Sequence, residues 1–479
     1  MNTVKHVSLI AALIAGAVQF AACGAAPVKD TAHVTPAATG SDPTVQRIMD
    51  TILAGRGAYE RLVTLCDSFG HRLSGSPELE QAIAWARDVL RDEGHENVAL
   101  EPVTIPKWVR GEESAVMLTP RIEPLHMLGL GMSLPTPPEG ITAEVVTVAN
   151  EDELKALGTS VTGKIVHFNN PMPDWTPEEG ACYGHTVRFR LFGANMAGKL
   201  GAKAVLIRSV TAHSLRTPHT GTLVYREDEP AIPAAAISTE DSDLLARLQA
   251  AGKPVQVKLT MNARRDGDSH SSNVVAEIVG RELPDEVVII SGHIDSWDVG
   301  QGAHDDGSGV VMAMETLGTL RTMGLQARRT IRLVLWTNEE NGMAGVKQYI
   351  RDHQEELPKI VAAIEADAGG FAPVSFGVSH VDEDKQAAAA GRVEAMMPEL
   401  AKAAHMTVLP GRGAPDVSHF KKHGVPVIGL YTHGEHYFDY HHTEADTVDK
   451  VDPEELTRSA AAMAGLAWMI AEMPGRIDD

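Results

Sequence analysis

Apolar positions recur at two rhythms along the chain, and the change of rhythm divides it. From Thr44 to Phe69 the spacing is that of helix faces. Pro77 to Glu93 predicts a further helix, with Pro in its first turn and Gly94 just past its end. Val98 to Ile105 alternates as a strand does. Between Thr119 and Asp268 short apolar runs predict strands at Ala143–Ala149, Lys164–Phe168, Ala204–Ile207, Ala231–Ile237 and Val255–Leu259, with helices over Arg190–Leu200 and Glu240–Ala251. Beyond Ser272 the order becomes strand, helix, strand, helix. Strands are predicted at Asn273–Ile278, Val287–Ser291, Ile331–Trp336, Ile360–Glu365 and Val427–Leu430. Helices are predicted at Ser308–Thr322, Met343–His353, Gln386–Ala404 and Pro453–Met473. Continuously apolar strands between helices predict an α/β fold, with a doubly wound, mainly parallel sheet covered on both faces. Residues 45–118 and 269–479 would form that domain, and 119–268 an α/β or β-rich insertion.

The first residues read differently. Lys5 and His6 precede an apolar run, Val7 to Val18, and then small residues, the order of a secretory signal over 1–22. Phe20-Ala21-Ala22-Cys23 resembles a bacterial lipobox, which would lipidate Cys23 and anchor an exported, periplasmic or outer-membrane protein; an ordinary cleaved signal would give a secreted one. Residues 23–44, rich in Ala, Pro and Thr, suit a flexible tether. Cys66 and Cys182 could pair or stay as free thiols.

Composition narrows the function. Of 479 residues, 64 are acidic and 42 basic, a net charge of −22 with no basic run to offset it, which argues against a nucleic-acid partner. No later apolar segment reaches the ~18 residues of a membrane span. Neither a His-Glu-x-x-His, nor a Gly-x-Ser-x-Gly elbow, nor a phosphate-binding Gly-x-x-x-x-Gly-Lys-Ser/Thr occurs, which disfavours serine hydrolases and P-loop enzymes.

The candidate chemistry lies at the predicted strand ends, where ligands of such sheets bind. One strand runs into His293-Ile294-Asp295, the next into Glu339-Glu340, the next into Asp367. The loop His304-Asp305-Asp306 opens a helix, and His441-His442-Thr443-Glu444-Ala445-Asp446 precedes the last one. Crowded carboxylates raise one another's pKa, and divalent cations relieve that repulsion. Imidazole and carboxylate together are donors that zinc accepts, and one carboxylate can bridge two ions ~3.5–4 Å apart, a spacing at which a shared water is acidified and a carbonyl polarised. Of Glu339 and Glu340, one can bind metal while its neighbour serves as general base. Asp295 can accept the second ring N–H of His293. Singly, each feature has a plain alternative: a satisfied core pair for His293 and Asp295, a solvated run for Glu339-Glu340, a turn or helix cap for Asp305 and Asp367. Together, in order, those alternatives become improbable. His441 is left unassigned, since successive residues of an extended segment face opposite ways. Asp416 reads as a helix cap, and Tyr431–Tyr440 could line a pocket, form a homodimer contact or simply pack.

The segments Ser291–Gly309, Leu335–Gly345, Glu365–Gly370 and His441–Thr447 resemble the metal motifs of the di-zinc aminopeptidase and glutamate carboxypeptidase family, with further likeness to a carboxypeptidase branch at Ile105–Leu118, Pro137–Glu144 and Ser296–Gly302. That resemblance implies two zinc ions per chain. His293 and Asp367 would hold one, Glu340 and His442 the other, and Asp305 would bridge them. Glu339 would be the general base and Asp295 would orient His293. It further implies a frequently cis Asp305–Asp306 peptide, a protease-associated-like insertion, and exopeptidase action on short peptides, dipeptides with free termini. An aminopeptidase on the same scaffold, a one-zinc glutaminyl-cyclase-like acyl transferase and a non-catalytic binding protein stand as alternatives.

Overall fold

Strand β3 (Leu283–His293) shows how the sequence builds the sheet. It is preceded in the chain by β1 (Glu96–Val109) and β2 (Arg264–Ile278), and followed by β4 (Arg329–Trp336), β5 (Ile360–Ala366), β6 (Pro373–Ser379), β7 (Thr407–Pro410) and β8 (Val427–Thr432). Val288 and Ile290 of β3 enter the apolar core on one face, and Val287 and Ile289 the core on the other. Leu333 and Leu335 of β4 likewise oppose Val334 and Trp336. Strands apolar on both faces need cover on both, which is why their runs are unbroken. The sheet order is β1-β2-β4-β3-β5-β8-β6-β7. The central pairs β4–β3, β3–β5 and β5–β8 are parallel, while β2–β4 and β8–β6 are antiparallel.

This computed structural model describes residues 43–176 and 180–479. The signal segment 1–22, Cys23 and the tether as far as residue 42 lie outside the described residues; the helix α1 begins at Pro43. The single helical stretch expected to Phe69 is two helices, α1 (Pro43–Leu53) and α2 (Gly57–Phe69), parted at Gly55 and Arg56. The third, α3 (Pro77–Asp92), starts where Ser76 caps it, its hydroxyl accepting the Leu79 N–H. The helix α4 (Ser308–Thr322) is buried along most of its length, and α5 (Ala344–Asp352) lies against the opposite face. The last helix, α6 (Pro453–Glu472), is capped by Asp452, which accepts from the N–H groups of Glu454 and Glu455. Strands β6 and β7 have no counterpart in the apolar pattern: both are short and interrupted by Gly or Pro.

Contacts divide the chain into two units. Among the described residues, one joins those from Pro43 to Lys107 with Gly267–Asp479, and the other is Trp108–Asp266. The second unit has its own eight-stranded sheet, whose central strands Ile141–Val148, Ile165–Phe168, Ala204–Arg208 and Ala234–Ile237 run parallel. Strand Glu113–Thr119 pairs with Gln256–Met261, which places it in this unit although it precedes residue 119. Its core includes Met117, Ile165, Leu206, Ile237 and Leu259. Among the described residues no helix is long and apolar enough to cross a membrane. Cys66 is a free, buried thiol, so it does not pair with Cys182. Burial pushes the thiol up to about 12.

Two glycines let the first turn of α4 approach the ends of β3 and β5. A Cβ on Gly292 would stand 2.7 Å from the Asp306 carboxylate and from the Val310 nitrogen, and one on Gly309 would meet the Ala366 carbonyl oxygen. Gly309→Val is expected to cost roughly 1–3 kcal/mol or more by overpacking, and Ile290→Ala roughly 2–5 kcal/mol by leaving a cavity. Urea unfolding of the purified variants checks both; a Gly309→Val protein as stable as the parent would show that the helix is not held so closely.

Candidate metal centre

Parallel neighbours β4, β3 and β5 finish at the same edge of the sheet, so their following residues converge. His293 closes β3, Asp367 follows β5, and Glu339 and Glu340 occupy the turn after β4. In that turn Asn338 takes a positive φ of 69°, a conformation Asn tolerates, and its side chain bonds the Ala344 N–H and the Ser74 hydroxyl. Asp305 comes from the loop that leads into α4, and the Asp305–Asp306 peptide is cis.

The distances describe two donor sets with a common member. His293 Nε2 lies 3.3 Å from Asp305 Oδ1 and 3.6 Å from Asp367 Oδ1. His442 Nε2 lies 3.1 Å from Asp305 Oδ2 and 3.1 Å from Glu340 Oε2. Zinc–ligand bonds of about 2.0–2.1 Å in a tetrahedron put ligand atoms roughly 3.3–3.4 Å apart. The spacings about His293 straddle that edge length, and the donor atoms of His293, Asp305 and Asp367 all lie within 4.8 Å of one another, so zinc fits this set; about His442 both measured spacings are close to the edge, and the trio gathered within 4.8 Å there is Asp305, His441 and His442. Glu340 Oε1 is buried without a hydrogen-bond donor among the described residues, which leaves its lone pairs for a cation.

Electrostatics says the same. Burial raises the Glu340 carboxyl to about 7 against the pull of His442, and raises Asp367 and Glu339 as well, with neighbouring carboxylates adding to the rise. Burial alone would lower His442, yet Glu340 and Asp305 lift it to about 9. Burial also works against ionised Asp305, but the imidazoles of His293 and His442 hold it well below the usual carboxylate range. The protein's own cations thus satisfy one carboxylate and leave the others short of positive charge.

Several residues hold this arrangement without being donors. The Asp306 carboxylate accepts the His293 N–H at 3.0 Å and the Gly309 N–H at 3.0 Å. Asp446 accepts the N–H groups of His304 at 2.7 Å and Asp305 at 3.1 Å, tying the bridging loop to the one that carries His442. The fully buried Arg72 guanidinium donates to the carbonyl oxygens of Gly70, Ile294, Gln301 and Gly302. Asp295 plays a different part from the one expected. Its carboxylate stands 3.8 Å from His293 Nδ1, whereas its backbone oxygen lies at 3.0 Å. The carboxylate instead accepts the Glu339 N–H and the Ser74 hydroxyl, at 3.0 and 3.1 Å. The imidazole is therefore oriented by main chain, and the side chain props the Glu339 turn.

Three further residues depart from the strand logic. His442 has a positive φ of 61°, which breaks the alternation and brings His441 to the same side. The two rings stack, centroids 3.6 Å apart and planes 18° apart, and His441 Nε2 lies 3.6 Å from Asp305 Oδ2. An imidazole binds metal in its ring plane, and two planes so nearly parallel cannot share one ion at about 2.0–2.1 Å. Of the pair, His442 also meets Glu340. Asp416 makes no capping bond; its carboxylate is buried without a donor among the described residues. His304 is stacked between Phe371 and Tyr440, its Nδ1 accepting the Gly370 N–H, a packing role. Asp446 and Asp306 stood beside recognised donors in the sequence, but nothing in spacing alone shows which backbone N–H a carboxylate will hold.

Imidazole–carboxylate sets joined through one aspartate, at the ends of parallel strands, define a metallohydrolase. Residues 273–467 match the family described as Peptidase family M28. Carboxypeptidase Q of Bos taurus is 42% identical over 416 residues, covering 87% of this chain and 85% of the relative. The solved structure of a peptidase M28 precursor from Shewanella amazonensis SB2B is 34% identical with a TM-score of 0.86, over 91% of this chain and 97% of that one. A zinc aminopeptidase from Bacillus subtilis, 19% identical with a TM-score of 0.62 over 88% of this chain and 97% of its own, shares the fold. The chain belongs to peptidase family M28 and is a zinc metallopeptidase.

Two outcomes follow from the geometry. Asp446→Ala releases the Asp305 N–H and should weaken zinc binding about 10–100-fold, the usual cost of losing a group that holds a ligand. Chelator competition measures this, with circular dichroism to confirm the fold. Zinc binding should also release protons at pH 7. With His442 at about 9 in the free site, its imidazole is mostly protonated there, and Glu340 at about 7 is half protonated. Both must deprotonate to bind, so affinity rises with pH until the His442 value is passed. Calorimetry in buffers of different ionisation heat reads the proton count; zero release would contradict the charge assignment.

Proposed function

We propose that this chain is an exported di-zinc exopeptidase that hydrolyses short peptides, above all dipeptides with free termini, in the manner of a carboxypeptidase. The observation that carries the reading is the single carboxylate of Asp305, whose two oxygens face two separate imidazole–carboxylate sets. On this reading His293 and Asp367 hold one ion, Glu340 and His442 hold the other, and Asp305 stands between. Zinc, when bound, polarises the substrate carbonyl and acidifies water. The rest of the chemistry belongs to Glu339. Its side chain is partly buried, and no protein hydrogen bond or ion pair occupies its carboxylate among the described residues. Asp295 fixes its backbone. Glu339 takes a proton from the attacking water and returns it to the leaving amine. Burial, reinforced by Glu340, Asp367 and Asp416, raises its pKa, which favours holding that proton between the two transfers.

The similarity to a protein named carboxypeptidase Q supports the direction, and the charged–apolar–small order of residues 5–22 supports export, through lipid on Cys23 or by secretion. The Trp108–Asp266 unit takes the place of a protease-associated-like domain in this reading.

The test is a zinc-supplemented panel of dipeptides with free, N-blocked and C-blocked termini, using protein recovered from the cell envelope or medium, whose N-terminal mass reports cleavage before Cys23. Glu339→Gln should lower turnover about 10²–10⁴-fold, the span of a general base, with two zinc ions per chain retained. Full activity in Glu339→Gln, or one ion per chain, would contradict the proposal. Tolerance of a blocked C-terminus but not of a blocked N-terminus would make the enzyme an aminopeptidase.

A further inference from the structure

An exopeptidase must read a charged end close to the bond it cuts, and the chemistry says on which side. In a dipeptide the free carboxylate carbon is two bonds from the leaving nitrogen. Glu339 gives its proton to that nitrogen, so a group that reads the carboxylate stands on the flank of Glu339. A group that reads a free amine stands on the opposite, acyl side.

The pocket is crowded with carboxylates, yet one ammonium group is tied to the Glu339 turn. Lys347 lies in the first turn of α5, is partly buried, and donates from Nζ to the Gly342 carbonyl oxygen at 2.8 Å. The Gly342 N–H donates in turn to the Glu339 carbonyl oxygen at 3.2 Å. The ammonium is thus fastened to the segment that carries the general base. Its only protein acceptor among the described residues is that neutral carbonyl, and it forms no ion pair. Glu339 and Asp416 act on it across space, while Lys422 and Arg351 add like charge to the same flank. An ammonium has three donors, and here one is used. Withdrawing an ammonium from water is costly unless a counter-charge meets it, and here the withdrawal is partial. The loss of hydration lowers its pKa, consistent with a cation lacking its counter-charge.

We propose that Lys347 receives the free α-carboxylate of the substrate's C-terminal residue, and that this contact makes the site select carboxylate-ended peptides. The inference rests on the di-zinc exopeptidase reading with Glu339 as base. Arg would keep the charge but change the geometry, and Met would keep the aliphatic stem without the charge.

The experiment compares kcat/KM for a dipeptide and its C-terminal amide in the wild type, Lys347→Met and Lys347→Arg, each checked for zinc content and melting temperature. The wild type should prefer the acid. In Lys347→Met that preference should shrink about 10–100-fold, the worth of a hydrogen bond to a charged group, and the change should sit in KM. Lys347→Arg should restore most of it. Product inhibition by a free amino acid against its amide gives the same ratio by binding alone, and Lys347→Gln replaces the Met variant should that one misfold. A preference unchanged in Lys347→Met, or a wild type that cuts acid and amide equally, overturns the proposal and leaves zinc-dependent hydrolysis standing. A zinc-loaded wild type that cleaves no dipeptide overturns the reading beneath it.

Discussion

The structure depends on one carboxylate being shared between two imidazoles. Asp305 can face His293 with one oxygen and His442 with the other only if its backbone is held to within a fraction of an ångström. The fold supplies that hold from several directions. Asp446 grips the N–H of Asp305 itself, Asp306 grips the N–H of His293, and Gly292 and Gly309 allow the helix start to reach the strand ends. None of these groups needs to meet a substrate. They convert a loop, which alone would sample many conformations, into a rigid part of the sheet edge.

Charge explains why so much support is present. Asp295, Asp306, Glu340, Glu365, Asp367, Asp416 and Asp446 are all buried or nearly so around the same point, and burial raises each of their pKa values. Such a gathering destabilises the protein unless cations or backbone N–H groups answer it. Backbone N–H groups answer Asp295, Asp306, Asp446 and Glu365. Glu340 and Asp367 belong to the donor sets themselves, where a divalent ion does the most good. Stability and chemistry therefore press in the same direction here.

Much of this was legible in the chain. The donors sit where apolar strands end, and unbroken apolar runs make those ends easy to find, so His293, Asp305, Glu340, Asp367 and His442 fall together in space as their order suggests. What escaped was set by single torsions and by distant partners. The positive φ at His442 turns His441 inward, and no spacing rule foresees a sign change at one residue. The Asp295 carboxylate was free to choose between an imidazole two residues away and an N–H 44 residues away, and took the latter. Strands β6 and β7 join the sheet through pairing with β8 and with each other; Phe376 and Val378 of β6 enter the core, but Pro373 and Gly377 interrupt the run that would announce the strand. Asp416 carries a capping residue's sequence context but turns its carboxylate into the interior instead.

Arg72 and Ser74 have a consequence for how the molecule comes to life. Both precede the Trp108–Asp266 unit in the chain, while the groups they hold, Ile294, Gly302 and Asp295 among them, are translated some 220 to 230 residues later. A nascent chain can complete its helices early, yet it holds no finished catalytic apparatus until these remote partners close on one another. Contacts of such long span form late in folding. A fragment cut at either side of the intervening unit has the donors without Arg72 and Ser74, or those two residues without the donors.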